Sequence, residues 1–147
     1  MRVRANFILG LFLRVLGVCV SCPAAPADVG ELMVVAHADT PALSEEMLQK
    51  IYLGKVVEVD GRRIIPVNLA KGNALRKKFM ERILAQDDEK FIAYWTVRRY
   101  IGKGSPPREF SSVELQLEFL RNTPGAVGYL DDSSKIEPGL KTLLKKL

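Results

Sequence analysis

The sequence predicts an α/β domain, a small mixed sheet flanked by helices, and three observations carry that expectation. Two continuous apolar runs of strand length, Leu32 to Ala36 and Ala126 to Leu130, lie far apart in the chain. Between them, apolar residues recur at helical spacing in several separate stretches. Asp60-Gly61 sits between two short apolar runs, the local signature of a tight hairpin. No repeat and no linker interrupts this region, so it reads as one domain.

Each element has its own reason. Leu-Met-Val-Val-Ala at 32–36 suits a buried strand. Ser44 is a good N-cap, and Glu45 and Glu46 favour a helix N-terminus. Met47, Leu48, Ile51 and Tyr52 then form a stripe that Gly54 ends. Val56 to Val59 and Ile64 to Val67 are the arms of the hairpin. Gly72 and Asn73 open a second helix, with Leu75, Phe79, Ile83 and Leu84 inward and Arg76, Lys77, Lys78 and Arg82 on its polar face. Asp87 and Asp88 open a third, carrying Phe91, Ile92, Trp95 and Ile101 and ending at Gly102-Lys103-Gly104, before Pro106-Pro107. Ser112 caps a fourth, with Val113, Leu117 and Leu120 on one face. Thr123-Pro124-Gly125 turns into the second apolar strand, and a lysine-rich helix from about Pro138 is expected to close the chain. Phe79, Trp95 and Leu117 are expected to meet in one core.

The first 27 residues differ from the rest. Arg2 and Arg4 precede the apolar stretches Ile8 to Leu13 and Val15 to Val20, and Ala25-Pro26-Ala27 follows. Positive start, apolar middle and small-residue end are the pattern of a secretory signal cut before Asp28. Arg14 would cost roughly 2.5–3.5 kcal/mol near a bilayer centre, which weighs against a permanent anchor. Leu16-Gly17-Val18-Cys19 loosely resembles a lipobox, though valine before the cysteine fits poorly, and a buried cytosolic helix is the remaining alternative. The domain organisation is thus a signal peptide at 1–27 and a domain of about 120 residues at 28–147.

Removing that segment changes the chemistry on offer. Of 22 basic residues, Arg2, Arg4 and Arg14 fall in it and no acid does, so 19 basic face 17 acidic side chains in the domain, a net +2. That balance does not suggest a nucleic-acid partner. Both cysteines, Cys19 and Cys22, also lie there, so neither a disulfide nor a thiolate metal site is expected in the domain. One histidine, His37, reads as a solvated residue at a strand end, and no transition-metal site is expected. No nucleophile elbow or P-loop pattern is present, and the adjacent pairs Asp87-Asp88 and Asp131-Asp132 point apart as caps and turn residues. An enzyme is not expected, nor a cofactor.

Several motifs resemble a known family. Leu48 to Lys55, Leu-Gln-Lys-Ile-Tyr-Leu-Gly-Lys, is similar to the helix followed by Phe/Tyr-x-Gly-Lys in phosphate-type periplasmic binding proteins. Asp60-Gly61 with Ile65-Pro66-Val67 resembles the hairpin that comes next, and Thr123 to Tyr129 resembles the Pro-Gly-Ala-Ile-Gly-Tyr strand. Gly102-Lys103-Gly104 with Pro106-Pro107 looks like the short, single-lobe members of the phosphate ABC transporter substrate-binding protein-like family. The likeness covers roughly Glu31 to Leu130. It implies one lobe of a type 2 periplasmic binding protein, a periplasmic location, a phosphate-like oxyanion as ligand and a membrane permease or other envelope protein as partner.

The resemblance also places a site. Family members bind the anion with a Gly-Ser-Gly-Thr-type loop at a helix N-terminus, where backbone N–H groups and the helix dipole favour negative charge. Here Lys71-Gly72-Asn73-Ala74-Leu75-Arg76 stands in that position and lacks the hydroxyls, and Asn68 stands where an arginine is expected. Asn68, Lys71, Gly72, Asn73, Ala74 and Arg76 are the candidate ligand-binding residues. Simple capping competes with this reading, since Asn73 is itself a preferred N-cap. Arg98, Arg99 and Lys103 form a second basic group beside Trp95, which at helical spacing from Phe91 reads as core. Two functions follow: a solute-binding-like protein that takes phosphate or a related anion for an ABC importer, or a non-catalytic accessory module that kept the lobe and lost the ligand. The signal reading makes a direct prediction. Mass spectrometry of protein from a periplasmic fraction should find Asp28 as the first residue; a full-length chain in the membrane would refute it.

Overall fold

A computed structural model describes residues 30–146. The signal-peptide reading, with Cys19 and Cys22, lies outside them. Among the described residues, seven strands and four helices follow one another as β1 (Leu32–His37), α1 (Glu45–Tyr52), β2 (Glu58–Val59), β3 (Arg62–Arg63), β4 (Ile65–Leu69), α2 (Ala74–Arg82), α3 (Asp88–Tyr100), β5 (Arg108–Phe110), α4 (Val113–Asn122), β6 (Ala126–Asp131) and β7 (Leu140–Lys146). Five strands make a mixed sheet in the order β5-β4-β6-β1-β7. β4 runs parallel to β5 and β6, and β1 runs antiparallel to β6 and β7. The α/β expectation is met: a mixed sheet with helices on both faces.

The two apolar runs become the central strands because both of their faces are covered. Leu32, Val34 and Ala36 of β1 and Val127 and Tyr129 of β6 point into one core cluster with Leu48, Ile51 and Tyr52 of α1, Phe79 of α2 and Trp95 of α3. Met33, Val35, Ala126 and Leu130 point the other way, against Leu120 of α4. A period of two on a strand buried on both sides gives an unbroken apolar run. Phe79 and Trp95 therefore share a core as expected, but Leu117 packs with the opposite cluster. Its helix lies alone on the other face of the sheet, which helical phase within one segment cannot reveal.

Glycines set two close approaches. Gly54, at φ +63°, lies so near Trp95 that a Cβ would sit 2.7 Å from the indole ring. Gly125, at φ +81°, has no room because a Cβ would fall 2.2 Å from the Arg63 carbonyl. The hairpin turn takes positive φ at both Asp60 and Gly61, 51° and 71°, as a two-residue turn of this hand needs. Its paired strands are only β2 and β3; the apolar residues from Ile65 onward leave it to join the main sheet as β4.

The expected C-terminal helix is a strand instead. β7 pairs along the whole of β1, with a bulge between Val34 and Val35. Gly139, at φ +92°, turns the chain into it. Leucines and lysines carry good helix propensity, but the open edge of β1 offers a row of backbone partners, and pairing overrides propensity. Lysines suit this outermost position because they discourage further strand addition. β5, three residues long, forms the other edge and had no counterpart in the sequence reading.

The most demanding packing is aromatic. Phe79 stacks on Tyr129 with ring centroids 4.1 Å apart and planes 8° from parallel, and its centroid lies 4.7 Å from that of Tyr52. The Tyr52 hydroxyl donates to the Val67 carbonyl at 2.8 Å, and Tyr129 donates to the Asn68 side chain. Burial pushes both phenols above their ordinary pKa, so both stay protonated as donors. Phe79→Ala should therefore lose about 3–5 kcal/mol, a large share of the ~5–15 kcal/mol typical of a domain. Urea unfolding followed by circular dichroism checks this; an unchanged midpoint would mean that the ring does not anchor α2 to the sheet.

Candidate functional site

β4 ends at Leu69, and the chain turns through 70–73 into α2. Gly72 adopts φ +88° there, and the Asn73 N–H closes the turn onto the Ala70 carbonyl at 3.2 Å. Asn73 is the N-cap: its Oδ1 accepts from the N–H groups of Leu75 at 2.9 Å and Arg76 at 3.3 Å. Two of the donors that an anion would use at this helix end are thus taken by the protein's own side chain.

A cleft of about 540 Å³ opens beside this turn. Lys71, Gly72, Asn73, Ala74 and Arg76 all line it, so the structure brings together five of the six candidate residues. Asn68 is apart from them, fully buried within β4. The charge of the cleft is mixed: Lys71, Arg76 and Lys77 meet Glu81, Asp87, Asp88 and Glu89. Asp87 is held below the usual carboxylate range, chiefly by the Lys90 backbone N–H it accepts as the N-cap of α3. It is therefore a fixed negative charge on the rim at neutral pH.

Arg76 corrects the sequence reading. Expected on the polar face of α2, it is 1% exposed. Its Nε donates to Asp88 Oδ1 at 2.8 Å, and its Nη1 donates to Glu109 Oε1 at 2.5 Å and to the Leu69 carbonyl at 2.6 Å. Burial alone would lower its pKa, but the hydrogen bonds to Glu109 and Asp88 outweigh that and hold it above its ordinary value. One guanidinium thus ties α2 to the N-terminus of α3, to β5 and to the end of β4.

Sequence reasoning missed Glu109 and the role of Asp88. A signal for the burial of Arg76 did exist. Leu75, Arg76, Phe79 and Met80 are all buried, and with Ile83 they form an i, i+1, i+4, i+5, i+8 stripe. Met80 shares that stripe with Arg76, so the phase of the helix pointed inward. The partners themselves stand 12 and 33 residues away and had no local signal.

The other singled-out residues have structural places. Trp95 is 6% exposed and donates its indole N–H to the Tyr52 carbonyl at 3.2 Å. His37 ends β1, and its Nδ1 accepts from the Asp39 N–H at 3.2 Å. Asp131 accepts from Ser133 and Ser134 in the turn after β6, and the Ser133 hydrogen bond leads in lowering its pKa. Among the described residues no group of three His, Cys, Asp or Glu could hold a metal ion, and no helix is long and apolar enough to cross a membrane.

Comparison with known proteins adds the fold relationship. The sequence matches no protein-family model and no curated protein. The structure is similar to an ABC-type phosphate transport receptor from Vibrio cholerae, with TM-score 0.58 and 17% identity over 77% of this chain and 45% of that one. It is also similar to a phosphate ABC transporter substrate-binding protein with bound phosphate from Clostridium perfringens, with TM-score 0.61 and 16% identity over 77% of this chain and 44% of that one. The chain thus spans under half the length of either neighbour. What these likenesses establish is the fold: the described domain is an α/β unit built like one lobe of a phosphate-type periplasmic binding protein.

Proposed function

We propose that the protein is a non-catalytic accessory module of the bacterial envelope: a solute-binding-like lobe, exported by the leader at 1–27, that works by docking to another protein. The observation that carries this reading is the pair of carboxylates already engaged by Arg76. The guanidinium nearest the loop of the resemblance is already neutralised by Asp88 and Glu109. A phosphate entering there would have to displace a carboxylate and then lie among three more, Glu81, Asp87 and Glu89. Like charges repel, and that repulsion opposes the exchange.

The reading of a small-anion binder for an importer stays as the second one, because Lys71 and Lys77 are exposed on the cleft beside the Gly72 turn. Both neighbours are phosphate-transport proteins, and one holds phosphate. A lobe of this kind acting by itself would leave such an anion half in water, where a charge pair at 4 Å gains only ~1 kcal/mol.

Isothermal titration calorimetry with inorganic phosphate separates the two. The accessory reading expects no saturable heat, or binding no tighter than about millimolar, which is about −4 kcal/mol. A micromolar dissociation constant would overturn it. Arg76→Met should cost about 3 kcal/mol in urea unfolding, near the low end for breaking a buried pair because Glu109 is half exposed. It should leave the phosphate titration unchanged; loss of a phosphate signal in a folded Arg76→Met would restore the anion-site reading.

A further inference from the structure

Charge gathers a second time at the opposite end of the parallel strands. A groove of about 330 Å³ lies between Arg63 at the end of β3, the start of β4, the last turns of α3 and the 103–107 loop that leads into β5. Its charged lining residues are Arg63, Arg98, Lys103 and Arg108, with no acid among them. None of the four is ion-paired within the described residues. The α2 cleft, by contrast, carries four carboxylates.

The floor of this groove is apolar, built from Ile51, Val56, Ile64 and Trp95, and Val57 stands on it 63% exposed. Arg98 is fixed in place: its guanidinium lies 5.6 Å from the Tyr94 ring centre and 5.4 Å from that of Trp95, and Nη2 donates to the carbonyls of Gly54 at 3.1 Å and Lys103 at 3.0 Å. Its Nε is buried without a partner. Arg63 and Lys103 are exposed on the rim; Arg108 is exposed as well, with its guanidinium 4.9 Å from the Phe110 ring centre and 5.4 Å from that of Phe119.

We infer that this groove is the docking site for a partner protein, through an acidic segment that lays aliphatic side chains on the floor and carboxylates against the rim. This rests on the accessory-module reading and names its surface. The occupant follows from charge and shape. Four cations without a carboxylate partner, of which Arg63 and Lys103 make no side-chain hydrogen bond or ring contact among the described residues, call for carboxylates or phosphates, and the apolar floor calls for side chains that a free inorganic anion lacks. A concave groove of this size suits side chains better than the flat face of a bilayer. A nucleic-acid strand would want an aromatic face for stacking, and Trp95 is 6% exposed.

Trp95 is the only tryptophan and lines the groove, so it reports occupancy. The probe is a short fluorescein-labelled peptide with glutamates around a Leu-Leu pair, followed by anisotropy and by Trp95 fluorescence on the purified protein. Saturable binding is expected, weakened about tenfold by Lys103→Glu and by Arg63→Glu. Lys135→Glu, an equal charge change outside the groove, should leave it within about twofold. Absence of saturation, or equal weakening by Lys135→Glu, would overturn the assignment. So would sedimentation with phosphatidylglycerol vesicles that the peptide cannot reverse. Failure here with a silent phosphate titration removes the groove and keeps the accessory reading, whereas micromolar phosphate binding removes the accessory reading itself.

Discussion

The packing around the α2 cleft depends on one buried cation. Arg76 is the largest of the fully buried side chains, and an unpaired guanidinium at that depth would cost several kcal/mol in lost hydration. Asp88 must therefore face it, which fixes the first turn of α3 against α2. Glu109 must face it as well, which draws the short strand β5 onto the edge of β4. The Leu69 carbonyl accepts from the same guanidinium at the point where β4 ends. Such a cluster adds little net stability over a well-packed apolar one, because desolvation offsets much of the attraction. Its effect is geometric: three elements distant in sequence have one arrangement in which no charge is stranded.

That geometry explains what could and could not be read from the chain. β1 and β6 were readable because strands covered on both faces write their burial as unbroken apolar runs. The helix starts were readable because Ser44, Asn73, Asp87 and Ser112 all cap through their own side chains, a local event. β7 was not, because Leu140 to Lys146 are strand only by virtue of the open edge of β1, and nothing local states that the edge is there. β5 and the role of Glu109 share that cause. The site residues were half readable: Lys71 to Ala74 do line one cleft, while the phase of Arg76 was misjudged because its charge was weighed above the Met80 beside it on the same stripe.

The family-like motifs gain a physical account that does not depend on a ligand. Gly54 in the Tyr-x-Gly-Lys stretch lets Trp95 close over the end of α1. Gly125 admits the Arg63 carbonyl, so the hairpin seats against the turn before β6, and Gly128 leaves α4 room, since a Cβ there would sit 3.1 Å from Gln116, Leu120 and Val67. These are requirements of the lobe. A chain can meet all of them with or without an anion at the α2 turn, so motif likeness does not by itself carry ligand chemistry.

The two ends of the parallel strands then divide the work by desolvation. At the α2 end, a charge at full burial cannot wait for a ligand, because folding would then depend on ligand concentration through mass action. Asp88 and Glu109, from the same chain, remove that dependence and with it most of the attraction for an outside anion. At the other end, Arg63, Lys103 and Arg108 remain hydrated, so leaving them unpaired costs folding almost nothing. Their pairing energy is available only to a partner that also excludes water, and the apolar floor of Ile51, Val56 and Ile64 is what would drive that exclusion. A surface of that kind discriminates against free small anions, which bring charge without apolar area, and in favour of a protein segment that brings both.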